Sequence, residues 1–139
     1  MRYLGLDLGT KTLGIAKSDP SGIIASSYKL LKFENEDYNS LIEPLKDIIN
    51  ELKVDKIVLG LPKNMNNTMG YASERSINFK ELIESNLNIE VILQDERLSS
   101  VEANNLMIQG DTKRKDRKEK VDALAATIIL QRYLDQRKD

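Results

Sequence analysis

The chain has no cysteine and no histidine in its 139 residues. Without cysteine there are no disulfides, no thiol nucleophile and no thiolate zinc site. Without histidine there is no Ser-His triad, no imidazole general base and no imidazole metal ligand. Any catalysis must use carboxylates, lysine, tyrosine, hydroxyls or a bound metal. No apolar run approaches the roughly 20 residues needed to span a bilayer. The N-terminus is not a signal peptide, because its first apolar run is short, contains Asp7 and lacks a cleavage site. A cytoplasmic location without membrane contact is therefore expected. A global basic field is also missing: the formal net charge is −1 and the pI about 5.6. The 40% apolar and 31% charged content is that of a folded globular chain. Its length suits one domain spanning 1–139, with no linker, internal repeat or low-complexity segment beyond one basic stretch.

Against this background Asp7 stands out. It ends the apolar run Tyr3-Leu4-Gly5-Leu6-Asp7-Leu8, where strand interiors are depleted in Asp and a buried carboxylate needs a partner. Two further acidic positions are suggestively placed: Asp95-Glu96, just after the apolar segment Ile89–Leu93, and Asp122, at the start of an apolar helix. Carboxylates from separate elements would repel one another unless a cation neutralised them, and an all-oxygen donor set suits a hard divalent ion. Each acid also has a purely structural reading. Asp7 can bind the N–H groups of the following turn, Asp122 can complement a helix dipole, and Asp95, Glu96 and Arg97 can form a surface ion-pair cluster. Strand alternation sends Asp95 and Glu96 to opposite sides, so only one of the two reaches a shared site.

The periodicity predicts three strands over 2–9, 13–18 and 23–32, with a turn at Asp19-Pro20-Ser21-Gly22. An amphipathic helix over 37–52 leads to the apolar strand 56–60, and a Pro/Asn/Gly-rich loop leads to a helix over 71–86. A strand at 89–93 follows, then a helix capped at Ser99 or Ser100 and ending near Gln109, then a last helix from about 119 to 136. The order βββ-α-β-α-β-α-α implies an α/β fold: a mixed five-stranded sheet, an antiparallel meander extended by right-handed βαβ crossovers and flanked by helices. Asp7 and the Asp95-Glu96 pair then fall at carboxyl ends of strands, where open α/β sheets gather their ligands. Ala125 and Ala126 would let the last helix approach the sheet and carry Asp122 to the same place.

Between Gln109 and that helix lie Lys113, Arg114, Lys115, Arg117, Lys118 and Lys120, broken only by Asp116 and Glu119. The segment reads either as a solvated charge run or as a loop contacting a phosphate backbone. Gly9-Thr10-Lys11-Thr12-Leu13-Gly14 is phosphate-loop-like, yet it is no Walker motif: it joins two strands and lacks the closing Gly-Lys-Ser/Thr.

Four segments in order carry a family resemblance: Asp7–Ala16, Gly60-Leu61-Pro62 with Gly70, Asp95–Ser100 with Ala103, and Lys120–Ala126 with Ile129-Leu130. Together they resemble the signatures of the YqgF (RuvX) family over essentially the whole chain. The resemblance implies an RNase H-like fold related to Holliday junction resolvases. It also implies a nuclease dependent on Mg²⁺ or Mn²⁺ that matures the 5′ end of pre-16S rRNA. The family's acidic positions fall on Asp7, Glu96 and Asp122, as both metal ligands and catalytic residues. Lys11, Lys113, Arg114, Lys115 and Arg117 are the expected nucleic-acid contacts. Thr12 stands where the family often has Arg, which leaves Lys11 to carry that phosphate contact.

The partner is then structured RNA or branched DNA, met by a monomer or a homodimer, since a junction resolvase cuts two strands and is expected to be twofold. A resolvase acting on four-way DNA junctions, or a non-catalytic ribosome-assembly module, are the alternatives. An actin-like phosphotransferase is also compatible with Asp7-Leu8-Gly9-Thr10, but that class uses two copies of this fold around its cleft.

Overall fold

A computed structural model describes residues 1–34, 37–62, 70–95 and 114–137, with the backbone alone for 71–72 and 114–123. The strands are β1 (Tyr3–Leu8), β2 (Thr12–Ser18), β3 (Ala25–Lys32), β4 (Lys56–Leu61) and β5 (Glu90–Asp95). The helices are α1 (Ile42–Leu52), preceded by a 3₁₀ turn over Tyr38–Leu41, α2 (Tyr71–Leu87) and α3 (Arg114–Gln136). The sheet order is β3-β2-β1-β4-β5. β1 pairs antiparallel with β2 and parallel with β4, while β5 runs parallel to β4. This is the expected mixed five-stranded sheet, with β1 at its centre.

Alternation along the central strands sorts side chains to two faces. Leu4, Leu6, Leu8, Leu13, Ile15, Ile57, Leu59 and Val91 join Leu41, Leu45 and Ile48 on one side and Phe79 and Ile83 of α2 in one core. On the other face Tyr3, Ala16 and Val58 pack against Ala126, Ile129, Leu130 and Leu134 of α3. The α3 residues recur at helical spacing along one face.

Of the boundaries that differ from expectation, three have a clear local reason. β3 begins at Ala25 rather than 23, because the Ile23 and Ile24 N–H groups donate to the Asp19 carboxylate and so belong to the turn. Gly22 in that turn has φ +72°, the positive value anticipated there. The helix expected from 37 opens as a 3₁₀ turn, and Pro44 sits in the first turn of α1, where its missing N–H is harmless. The last helix begins at Arg114, not near 119. The basic stretch Arg114–Lys120 is thus helical, not a loop, in keeping with the high helix propensity of Lys, Arg and Glu. The helix anticipated between Ser99 and Gln109 lies outside the described residues. Among the described residues no helix is long and apolar enough to cross a membrane.

Candidate active site at the carboxyl end of the central strands

Tyr3, Gly5 and Asp7 are successive residues on the α3 face of β1. Asp7 is half-buried and stands opposite Gly14 of β2. On its other side, Gly60 follows Leu59, the β4 partner of Leu6. A glycine thus stands beside Asp7 on each neighbouring strand. Just beyond, the Gly9 N–H donates to the Thr12 carbonyl at 2.8 Å and closes the β1–β2 turn. Lys11 is exposed at its tip, and its carbonyl accepts from the Phe33 N–H at 2.9 Å.

The course of α3 follows from its contacts with β1. The rings of Tyr3 and Tyr133 lie 5.6 Å apart, and the Arg137 guanidinium stacks on the Tyr3 ring at 5.0 Å. Two residues further along the strand, a Cβ built on Gly5 would stand 2.7 Å from Leu130 Cβ and 3.0 Å from the Ala126 carbonyl oxygen. The helix therefore runs antiparallel to β1 and nearly touches it at Gly5. From Gly5 to Asp7 the strand advances about 6.6 Å, which a helix covers in about four residues. Counting back four residues from Ala126 and Leu130, which both meet Gly5, ends between positions 122 and 126. Position 122 also shares the stripe of Ala125, Ala126, Ile129 and Tyr133 that faces the sheet, by its spacing of three, four, seven and eleven residues. The backbone so carries the first part of this stripe toward the Asp7 end of β1; the Asp122 side chain itself lies outside the described residues.

For the third acid the two candidates separate. Val91 and Leu93 of β5 belong to the core on the α1/α2 face, so Asp95, in step with them, falls on the face opposite Asp7. Gln94 is on the α3 face, where its Nε2 donates to Gln136 Oε1 at 3.2 Å. Glu96 and Lys113 lie outside the described residues. Arg114, Lys115 and Arg117 occupy the first turn of α3, and their side chains are not described. Among the described residues no three acidic, His or Cys side chains form a group able to hold a metal ion.

Two contributors were not anticipated. Gly5 admits the helix; its signal was a glycine inside a strand, which marks close backbone approach. Ser73, buried in the first turn of α2, donates to the Pro62 carbonyl and hooks that helix to the end of β4. Nothing in the spacing of Ser73 distinguished it from an exposed serine.

Residues 1–136 match the model of the RuvX family, described as Holliday junction resolvase. The chain belongs to that family. Relatives include proteins of Clostridium tetani, 50% identical over 97% of this chain and 96% of theirs, and of Clostridium acetobutylicum, 47% identical over 97% and 98%. Both are named, provisionally, as pre-16S rRNA nucleases. Among solved structures, this RuvX-family chain resembles Thermus thermophilus RuvC in complex with a Holliday junction substrate. The TM-score is 0.59 at 14% identity, covering 96% of this chain and 93% of that one. The fowlpox virus Holliday junction resolvase gives a TM-score of 0.56 at 19% identity over 99% and 100%. The shared fold is RNase H-like.

Proposed function

We propose that the chain is a divalent-metal-dependent endonuclease that hydrolyses phosphodiester bonds in the 5′ maturation of pre-16S rRNA, in the cytoplasm. The observation that supports this reading is the approach of α3 to β1 at Gly5, from which the helix start runs back toward the Asp7 end of the strand. Asp7 itself is a half-buried carboxylate on the central strand, between Gly14 of β2 and Gly60 of β4. Asp7, Asp122 and Glu96 are the proposed ligands, and Glu96 is preferred because Asp95 belongs to the opposite face.

The oxygen-only donor set fits Mg²⁺ or Mn²⁺. When bound, such an ion would supply Lewis-acid stabilisation of the phosphate and lower the pKa of an attacking water. The chain's own residues do the rest. Asp7 and its partner acids fix the site's charge and geometry. Lys11, held on its turn by the Phe33 N–H, is placed to meet a neighbouring phosphate. The basic first turns of α3 extend past the sheet and supply affinity for the backbone.

The names of relatives at 47–50% identity favour an RNA precursor. The family description favours a four-way DNA junction as the alternative substrate, in which case the active species would be a twofold dimer. Cleavage of a small-subunit rRNA precursor and of a synthetic four-way junction, each with Mg²⁺ or Mn²⁺, separates the two. Asp7→Asn should abolish cleavage of either substrate while the chain remains folded, with unchanged or higher thermal stability because a repulsive carboxylate is gone. Wild-type rates in folded Asp7→Asn would remove the metal-site reading and leave a non-catalytic binding module.

A further inference from the structure

Charge is unevenly divided across the sheet. Among the described residues, β2, β3 and their turns, over 9–34, carry Lys11, Lys17, Lys29 and Lys32 against Asp19 and Glu34. The opposite half, 55–62 and 70–95, carries Lys56, Arg75 and Lys80 against six carboxylates, Asp55, Glu74, Glu81, Glu84, Glu90 and Asp95. Within the basic half, Asp19 is at the far end of the sheet from Asp7, and its carboxylate accepts from Ile23 and Ile24. In the acidic half, Lys56 Nζ is paired with Glu90 at 3.0 Å. Lys17 and Lys29 are in step with Ile15 and Leu31 on the α1/α2 face, so Lys11 and Lys32 are the lysines of the basic half that lie toward Asp7 and draw a polyanion there toward β3.

Lys32 is the residue best placed to use that field. It is exposed, pairs with Thr12, and alternates with Leu31 and Phe33, which pack in the α1/α2 core; it therefore lies on the face that carries Asp7. The Phe33 N–H to Lys11 carbonyl bond ties the end of β3 to the turn bearing Lys11, so the two lysines sit on adjoining backbone at one rim of the site. Two strand spacings across and two residues along place Lys32 Cα about 12 Å from Asp7 Cα, a separation that lets one ligand span both.

Resting on the nuclease reading above, we infer that the phosphodiester backbone leaves the carboxylate site over β2 and β3, not over β4 and β5, and that Lys32 is a phosphate contact beside Lys11. The ligand chemistry is the same for RNA and branched DNA; the path is set by the protein. The test is equilibrium binding in the Asp7→Asn background, so that no strand is cut. The probes are a labelled RNA stem with single-stranded flanks and a labelled four-way DNA junction, each titrated with salt. Lys32→Ala should weaken binding severalfold at low salt and lower the log–log salt slope by about 0.7 to 0.9, the value of a single neutralised phosphate. Lys32→Glu should weaken it further, Lys32→Arg should restore it, and Lys56→Ala on the opposite half should leave it unchanged. If the parent binds and Lys32→Ala and Lys32→Glu keep its slope and affinity, the path is wrong while the nuclease reading stands. If the parent binds neither probe, both fall together.

Discussion

Replacing Gly5 by alanine adds one methyl group at the tightest point of the fold. That Cβ would sit 2.7 Å from Leu130 Cβ and 3.0 Å from the Ala126 carbonyl oxygen. Carbon–carbon contacts prefer about 3.5–4.0 Å, so α3 must retreat from β1 by about 1 Å. Overpacking of this kind costs about 1–3 kcal/mol. Neither obstacle is the far end of a flexible side chain, so a rotamer change cannot relieve it. For a chain of this size each kcal/mol lowers Tm by about 4 °C. The assay is urea unfolding, with the loss expected in the midpoint at unchanged m-value. Leu130→Ala keeps the offending Cβ and should not rescue the variant. Because Ala126 lies one turn after position 122, the same retreat moves the last helix away from Asp7. Misplacement by 1 Å can cost about 100-fold in rate, so cleavage should fall further than the folded fraction does. A variant within 0.5 kcal/mol of wild type and fully active would refute both the close approach and its link to the site.

Glu96→Gln should abolish cleavage while Asp95→Asn retains part of it, measured on one substrate under saturating Mg²⁺; the reverse order would mean that the Asp95 face carries the chemistry. Changing Lys113, Arg114, Lys115 and Arg117 to alanine should weaken nucleic-acid binding and lower the salt slope by about 0.7–0.9 for each phosphate no longer neutralised, whereas an unchanged slope would make the first turns of α3 a solvated surface. Ser18→Ala should cost about 1–3 kcal/mol in thermal or urea unfolding. Buried Ser18 Oγ accepts from the Tyr3 N–H at 2.8 Å and donates to the Asp19 carbonyl at 2.9 Å, and its loss orphans the N–H. A neutral result would mean that water replaces the hydroxyl.

The sheet is legible because its strands alternate or run apolar for most of their lengths, and because the meander and the crossovers leave one reasonable order. Ala125 and Ala126 announce the close-packed helix. The matching concession on the strand, Gly5, is visible in sequence only as a residue that strands tolerate poorly. The start of α3 escapes the sequence because Lys and Arg runs lack an apolar stripe, and periodicity is silent about a helix that extends past its core. Asp95 and Glu96 differ only in parity, and the parity of β5 is set by Val91 and Leu93 in the core. Lys32 carries no motif; its place beside Lys11 depends on a pairing between β2 and β3 that spans 20 residues or so of sequence.

The clasp among Tyr3, Gly22 and Arg137 joins the start of β1 to the residue after α3. Arg137 donates to the Tyr3 hydroxyl at 3.2 Å and to the Gly22 carbonyl at 2.6 Å. During synthesis the first strand waits for the last helix, and until residues near 137 have left the ribosome, Tyr3, Ala16 and Val58 face water instead of α3. A nascent chain is therefore sticky on that face until α3 has docked.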